Sequence, residues 1–516
     1  MSFNVADYFT SKALEHPERI AFVADENKCI RFGELNESVD ETIAFFHCKG
    51  LEKGMKVMVL EPMTPDLYRI VLALFKMGIT AVFLDAWSGL KRLEECCDQL
   101  ECQAMIGSWK LGLLRLLSPT LRKIPSFYRA KNTVLKREKK RIELPLCEAR
   151  DQALITFTTG STGIPKGAIR THGFLAEQFK VLSEIIKREG PEVDLTTLPI
   201  VLLLNLGLGN TSILTSFAVK KAANFKPVKL FELLEKWKVE RLSCSPFYAV
   251  QLADYLEKDG KELPDLKRII CGGAILYDTE VEKIRSVFHS ISVQLLYGST
   301  EAEPIAIRDL FEKEKSLNET LPFGISVGKL HPSLSFGLLP LDESRKRMGL
   351  SEWKSIQCED GVLGEIVVAG THVLESYIGG EEVVQNQKIR VEDTLWHRTG
   401  DAGFLYEEEL FLSGRCREFD SLETQKKGPF YYENELLKLD GIARACSLIW
   451  QGSRVAVVEM KKGNKFEMKD EFMELFPEFG YWIEVDQMPM DSRHFSKIDY
   501  ALLRKQMKVL RGKNAV

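Results

Sequence analysis

An α/β fold, with a large N-terminal domain followed by a smaller α+β domain, is the architecture this sequence predicts. Three observations lead there. Strand-like and helix-like segments alternate over residues 1–110 and again from Ala153 to about Ile307, the pattern of largely parallel sheets covered by helices. From Gly361 onward the texture changes to short strands joined by acidic turns. And 516 residues, 45% of them hydrophobic, are enough chain for two or three domains with full cores.

The elements follow in order. Val5 to Glu15 carries apolar residues at helical spacing, Ile20 to Val23 reads as a short strand, and Arg31 to Cys48 as a helix. Lys56 to Leu60 is a strand, Pro65 to Met77 a helix, and Thr80 to Leu84 and Ala104 to Ile106 are further strands. Apolar strands are expected around Ile269 and Val293 in the second block. The run Leu202 to Leu208 fits a buried strand better than the wall of an acyl pocket. The longer apolar stretch Leu198 to Leu208 is too short to cross a bilayer and contains Asn205 and Gly207, so no integral membrane segment is expected. Gly364 to Ala369, Phe404 to Leu405 and Leu410 to Leu412 are the later short strands. The last hundred residues or so hold one strand pair, Ser447 to Trp450 and Arg454 to Met460, and two helices.

Composition excludes several functions. Seventy basic against 74 acidic side chains leave a net charge of −4, which does not support bulk nucleic-acid binding or a polybasic membrane contact. The basic run Lys136 to Arg141 reads as a solvated surface loop, because nothing aromatic interleaves it. Eleven cysteines, an odd number with no C-x-x-C pair, suggest thiols in a reducing compartment rather than disulfides or a zinc site. The N-terminal stretch lacks the basic and apolar regions of a secretory signal, and a cytoplasmic location is expected.

Chemistry enters at FTTGSTGIPKG, Phe157 to Gly167, directly after the strand-like Ala153 to Thr156. It offers four hydroxyls (Thr158, Thr159, Ser161, Thr162), glycines including Gly160 and Gly163, and Lys166. Glycines let backbone approach a phosphate, hydroxyls and amides donate to its oxygens, and the lysine adds charge. A flexible polar turn would need only one or two such residues. The loop is not a Walker loop, since Pro165 precedes the lysine and Gly167 follows it, and G-x-G-x-x-G is absent.

The loop resembles the phosphate-binding signature of the adenylate-forming (AMP-binding) superfamily: acyl-CoA synthetases, peptide-synthetase adenylation domains and luciferases. Further segments match in order. IICGGA, containing Gly272, Gly273 and Ala274, resembles the segment that packs against adenine. LYGSTE, Leu296 to Glu301, resembles the motif whose aromatic (Tyr297, followed by Gly298) stacks on adenine, whose Thr300 meets the α-phosphate and whose Glu301 holds Mg²⁺. A ring face suits a purine and a hard carboxylate suits Mg²⁺. Gly364 to Ala369 followed by Tyr377 resembles the strand motif that closes the large domain. WHRTGD, Trp396 to Asp401, resembles the signature whose carboxylate binds both ribose hydroxyls, and Arg415 the arginine at the junction with the small domain. Each of these has an ordinary structural reading as well: Tyr297 as core, Asp401 as a turn residue, Glu301 as a helix-start carboxylate.

Near the C-terminus, PMDSRHFSKID places Lys497 where the family has its catalytic lysine, a long cation suited to bridging carboxylate and α-phosphate. The resemblance implies ATP and Mg²⁺ as cofactors and an AMP-binding domain over residues 1–414 that includes a small β-barrel-like part. A mobile C-terminal domain over 415–516 would follow, hinged near 415–419.

Three departures from the usual acyl-CoA synthetase narrow this. Ser496 rather than Gly precedes Lys497, with Arg493 and His494 upstream; Gly428-Pro429 arrives late after the junction; and LPIVLLLNLGLGN contains no His. All three resemble the β-lactone synthetases of bacterial olefin biosynthesis. That implies a long-chain 3-hydroxy acid as the small-molecule substrate, adenylated and then closed by its own hydroxyl, and association with other fatty-acid or olefin pathway enzymes. His172, His397 and His494 are the candidate bases, with His494 favoured by its place beside the lysine. An acyl-CoA or acyl-carrier ligase is the runner-up, and a non-catalytic nucleotide-binding scaffold the remote alternative.

Overall fold

The computed structural model describes residues 3–24, 28–84, 90–135, 142–159, 165–215, 225–312, 317, 321–380, 383–384, 387–419, 427–461, 469–491 and 496–514. The early elements form close to where periodicity puts them: helices Asp7–Glu15, Phe32–Cys48 and Pro65–Lys76, and strands Ile20–Ala24, Lys56–Leu60, Thr80–Phe83 and Ala104–Gly107. Pro65 opens its helix at the first position, where a missing N–H costs nothing, and Thr64 Oγ1 caps it by accepting from the Leu67 amide.

Two large sheets carry the molecule. One has seven strands, with a parallel block of Gln152–Thr159, Thr80–Phe83, Lys56–Leu60, Ala104–Gly107 and Ser126–Arg129, and antiparallel Pro165–Thr171 and Ser376–Tyr377 at its other edge. The other has fifteen. Its parallel part runs Ile20–Ala24, Thr211–Ile213, Val193–Thr196, Arg241–Cys244, Arg268–Gly272, Ser292–Tyr297, and its antiparallel part continues through Ala306–Asp309, Ile325–Leu330, Glu409–Arg415, Thr394–Tyr406, Gly364–Ala369 and Ser335–Leu339. The part expected to be barrel-like therefore continues the large sheet, and no closed barrel forms among the described strands. A three-stranded sheet, Ile442–Trp450, Ser453–Met460 and Phe479–Val485, forms the small C-terminal domain with helices Pro429–Leu437, Lys469–Leu475 and Tyr500–Asn514. Its third strand was not foreseen, because GYWIEV mixes polar and apolar residues on a half-exposed edge.

Leu202 to Leu208, expected as a buried strand, is helical instead. It lies in the helix Pro199–Leu208, started by Pro199 and stopped by Gly209 at φ 79°. The segment is apolar nearly all round, so it shows neither period, and the same composition serves a strand or a buried helix. Its one interior polar residue, Asn205, reaches the sheet: Nδ2 donates to Asp194 Oδ2 at 2.7 Å and to Ser212 Oγ at 3.0 Å. Asp194 in turn pairs with Arg241, both fully buried, at 3.0 Å, and Arg241 and Arg268 converge on Glu192. This network ties the neighbouring parallel strands Val193–Thr196, Arg241–Cys244 and Arg268–Gly272 to the helix above them.

Candidate active site

The two large sheets meet where their strands end. The glycine-rich loop joins Gln152–Thr159 to the antiparallel Pro165–Thr171, with Thr158 opposite Lys166 and Thr159 opposite Pro165. It is therefore a hairpin rather than a strand-to-helix turn, so any anion held there rests on loop amides and hydroxyls instead of a helix dipole. Gly160, Ser161, Thr162 and Gly163 lie outside the described residues. Lys166 and Arg170 share one face of the second strand, four residues apart. Burial lowers the pKa of Lys166, against the attraction of Glu301.

Opposite stands LYGSTE. Gly272, which ends its strand, is the register neighbour of Leu296, and Gly273 turns the chain at φ 97°, a conformation that favours glycine, ahead of Ala274. Gly298 allows the next turn to close: a Cβ there would lie 2.8 Å from the Ala302 carbonyl oxygen. The turn is held by the Ser299 amide donating to Ala302 O at 2.8 Å and by Ser299 Oγ accepting from the Glu301 amide at 3.2 Å. Thr300 is anchored from the other sheet. Arg170 Nη2 donates to its carbonyl at 2.9 Å, while Nη1 donates to Thr156 Oγ1 at 2.6 Å.

Asp401 is the centre of the third group. It accepts the Tyr297 hydroxyl at 2.8 Å through Oδ2 and pairs with Arg415 Nη1 at 3.0 Å through Oδ1. Asp401 and Arg415 are direct neighbours across the antiparallel pair, so the contact follows from register. A carboxylate offers about four lone-pair sites, and after these two contacts it can still accept two hydroxyls. The turn before it is pinned by Glu365, which takes the Gly400 amide at 3.2 Å and Arg398 Nε at 2.8 Å.

Lys497 reaches this group from the small domain. Its side chain is exposed to solvent and has Asp401, Arg415, Asp491 and Glu303 as charged neighbours. Desolvation, then Arg415, lowers its pKa, while Asp401, Asp491 and Glu303 pull it back up. Ser496 Oγ accepts the Phe247 amide at 3.3 Å, a further link between the small domain and the large sheet.

Three residues of the cleft carried no sequence signal. Arg170 reads as ordinary strand until its span to Thr300 is seen. Glu303 lies in the fields of both Arg170 and Lys497. Lys388 is buried, donates to the Leu374 carbonyl, and lies 6.0 Å from the Tyr377 ring centroid; burial brings its pKa down to about 8, with Glu301 and Glu375 opposing. Five cations (Lys166, Arg170, Lys388, Arg415, Lys497) thus meet five carboxylates (Glu301, Glu303, Glu375, Asp401, Asp491) around this cleft, a balanced set of charges.

The histidines separate. His172 is fully buried at the start of helix His172–Ile186, accepts the Val5 amide at 3.3 Å through Nδ1, and is pushed down to about 4 by burial. It packs the N-terminus onto the fold and is withdrawn as a base. His397 is buried beside Lys388 and held well below its ordinary pKa by burial. His494 lies outside the described residues.

A family model described as AMP-binding enzyme matches residues 9–378. The chain belongs to this family. Among curated relatives it is 26% identical to the olefin beta-lactone synthetase of Stenotrophomonas maltophilia (strain K279a), with 96% of each chain covered. It is 27% identical to the olefin beta-lactone synthetase of Xanthomonas campestris pv. campestris, covering 83% of this chain and 81% of that one. Its fold matches the ATP-bound MatB of Rhodopseudomonas palustris with a TM-score of 0.81 at 17% identity, over 98% of this chain and 99% of that one. The protein is an ATP-using, adenylate-forming ligase of mixed α/β architecture with a small C-terminal domain. Among the described residues, no helix is long and apolar enough to cross a membrane.

The small domain also touches the large one through Tyr277, whose hydroxyl donates to Glu433, and through Asn434 Nδ2, which donates to Asp278 Oδ2 at 2.7 Å. Burial pushes the Glu433 carboxyl up to about 7; Tyr277 and the Ser447 amide lower it, and Glu418 raises it. A carboxyl raised above its ordinary 4.5 contributes stability that is complete below that value and is lost as pH rises through about 7. Glu433→Gln removes this titration. The fall in unfolding free energy between about pH 5 and about pH 8 should shrink by up to about 3 kcal/mol, measured by denaturant titration at the two pH values. An unchanged pH slope would count against a buried neutral Glu433.

Proposed function

We propose that this ligase activates a long-chain 3-hydroxy acid with ATP and Mg²⁺ and then closes it to a β-lactone in the cytoplasm, in association with other enzymes of an olefin pathway. The observation that carries the reading is the match to an olefin beta-lactone synthetase along 96% of both chains.

Residue roles follow the geometry. Asp401, with two acceptor sites left, and Arg415 beside it suit the ribose diol. Tyr297 and the Gly272–Gly273–Ala274 turn suit adenine, and the loop Thr158 to Lys166 suits the β- and γ-phosphates. Glu301 is the candidate ligand for Mg²⁺ in this reading. Among the described residues no cluster of three His, Cys, Asp or Glu encloses a metal, and a single carboxylate fits an ion that takes its remaining ligands from phosphates and water. Bound there, Mg²⁺ would neutralise phosphate charge.

In the first step the substrate carboxylate oxygen attacks the α-phosphorus and pyrophosphate leaves. Lys497 and Thr300 stabilise the charge gathered at that centre, with Arg170 holding the Thr300 loop in place. In the second, the 3-hydroxyl oxygen attacks the acyl carbon, the acyl–phosphate C–O bond breaks with its electron pair leaving on AMP, and the hydroxyl proton passes to a base, for which His494 is the candidate. Because the nucleophile is already attached, orientation supplies what a second substrate's binding otherwise would. Residues 415–516 would move as a unit. Glu418, just past Arg415, is bound by Arg504 at 2.8 Å and by the Ile449 amide at 3.1 Å, so the pivot falls at Arg415–Cys416.

A long-chain 3-hydroxy acid with ATP and Mg²⁺ should yield AMP, pyrophosphate and a β-lactone without CoA, read by mass spectrometry. The same-length acid lacking the hydroxyl should stop at a bound acyl-adenylate. A CoA thioester formed equally well from both acids would replace this reading with the acyl-CoA ligase. No pyrophosphate from any acid would favour the scaffold.

A further inference from the structure

One helix presents its apolar stripe outward. In Trp109–Leu117, Trp109 is 56% exposed, Leu113 51%, Leu116 69% and Leu117 73%, while Leu111 alone is buried. Trp109, Leu113, Leu116 and Leu117 are spaced i, i+4, i+7, i+8 on one face about 100° wide, and Leu114, 39% exposed, extends it. A soluble helix normally turns such a face to the core. Here the inward side holds Leu111 and Arg115, whose Nη2 donates to the Ile124 carbonyl at 2.7 Å. The helix lies between strands Ala104–Gly107 and Ser126–Arg129, the latter being the edge of the seven-stranded sheet, so the stripe sits at the periphery of the molecule. Monomers rarely leave a contiguous apolar patch of this kind without a partner.

Charge identifies the partner. Residues 109–135 contain six Lys and Arg and no acidic residue, a local charge of +6 in a chain whose total is −4, while the basic run Lys136 to Arg141 lies outside the described residues. Among the described residues of this segment Lys110, Arg122, Lys123, Arg129 and Lys131 are exposed. A short helix with Trp and Leu on its outer face, followed by a cationic segment free of carboxylates up to residue 135, matches the chemistry of an anionic lipid interface: acyl chains take the apolar stripe and headgroup phosphates the lysines and arginines. A protein partner would need only one of the two features.

We infer that the helix Trp109–Leu117, with the basic segment that follows it, docks the enzyme reversibly onto the surface of an anionic lipid bilayer. The inference is independent of the acid it activates. Whole-chain evenness of charge hides this feature, since the compensating carboxylates lie elsewhere in the sequence.

The test is co-sedimentation of the full-length protein with vesicles of phosphatidylglycerol and phosphatidylcholine, and with vesicles of phosphatidylcholine alone. The protein should pellet with the anionic vesicles and be released by salt. Leu116→Asp/Leu117→Asp and, separately, Arg122→Glu/Lys123→Glu should each weaken that partition ~tenfold or more. Both pairs are exposed, so thermal stability and pyrophosphate release in solution should stay at the parental level. Absence of binding to the anionic vesicles, or equal binding to the uncharged ones, overturns the inference. So does self-association in sedimentation velocity that Leu116→Asp/Leu117→Asp abolishes, which would make the stripe a contact between copies.

Discussion

Replacing Lys497 by Ala should lower acyl-adenylate formation by about two to three orders of magnitude, the scale of losing one preorganised donor at a developing charge. The side chain stands within the fields of Asp401, Arg415 and Glu303, so it already occupies the cleft before any ligand arrives. ATP affinity should change little, because the groups proposed to hold ribose, base and distal phosphates all belong to the large sheets. Single-turnover pyrophosphate release measures the first effect and equilibrium nucleotide binding the second. A pH profile adds a sign. Burial and Arg415 lower the lysine's pKa, so the cation is lost, and adenylation with it, at a lower pH than an ordinary lysine would require. Lys497→Arg, which cannot deprotonate in this range, should lose that alkaline limb whatever its absolute rate. Near-normal pyrophosphate release from Lys497→Ala would show that the C-terminal lysine has been misassigned.

Asp194→Ala should cost about 3 kcal/mol of folding stability, because it removes one of the two carboxylates, Asp194 and Glu192, that pair with the buried guanidinium of Arg241. Asp194 and Arg241 are both fully buried. Asp194 accepts from Arg241 Nε at 3.0 Å, Ser243 Oγ at 2.8 Å and Asn205 Nδ2 at 2.7 Å, so one substitution takes an acceptor from three buried donors, of which Arg241 Nε keeps Ser243 Oγ and Asn205 Nδ2 keeps Ser212 Oγ. Denaturant titration at neutral pH reads the loss. The double variant Asp194→Leu/Arg241→Met should recover much of it, since an apolar pair of similar volume avoids the desolvation that the charges incur. A change below about 1 kcal/mol in the single variant would mean that water or rearrangement satisfies Arg241. Activity should fall with stability, as this network braces the strands that end at Gly272 and, one strand further on, Tyr297.

Local signals in the chain were sufficient for most of the first hundred residues. Helices such as Pro65–Lys76 and strands such as Lys56–Leu60 announce themselves by period, by Pro at a first turn and by Thr at a cap, all properties of contiguous residues. The candidate site was legible for a related reason. Thr300, Glu301, Asp401, Arg415 and Lys497 each sit in a short segment whose residue types suit one part of a nucleotide or of its transfer.

What tertiary structure alone decided is everything that depends on which strand lies beside which. Asp401 meets Arg415 because an antiparallel register places them opposite, and Arg170 reaches Thr300 because the two sheets abut at that turn. Lys388 enters the cleft through a strand that shows no motif. The apolar run Leu202 to Leu208 belongs to a helix in which Asn205 finds Asp194 and Ser212 beneath it, and periodicity has nothing to read where nearly every residue is apolar. Conversely the helix Trp109–Leu117 turns most of its apolar residues outward. Hydrophobicity states that a surface is to be covered, and only the packing shows that none of the described residues covers it.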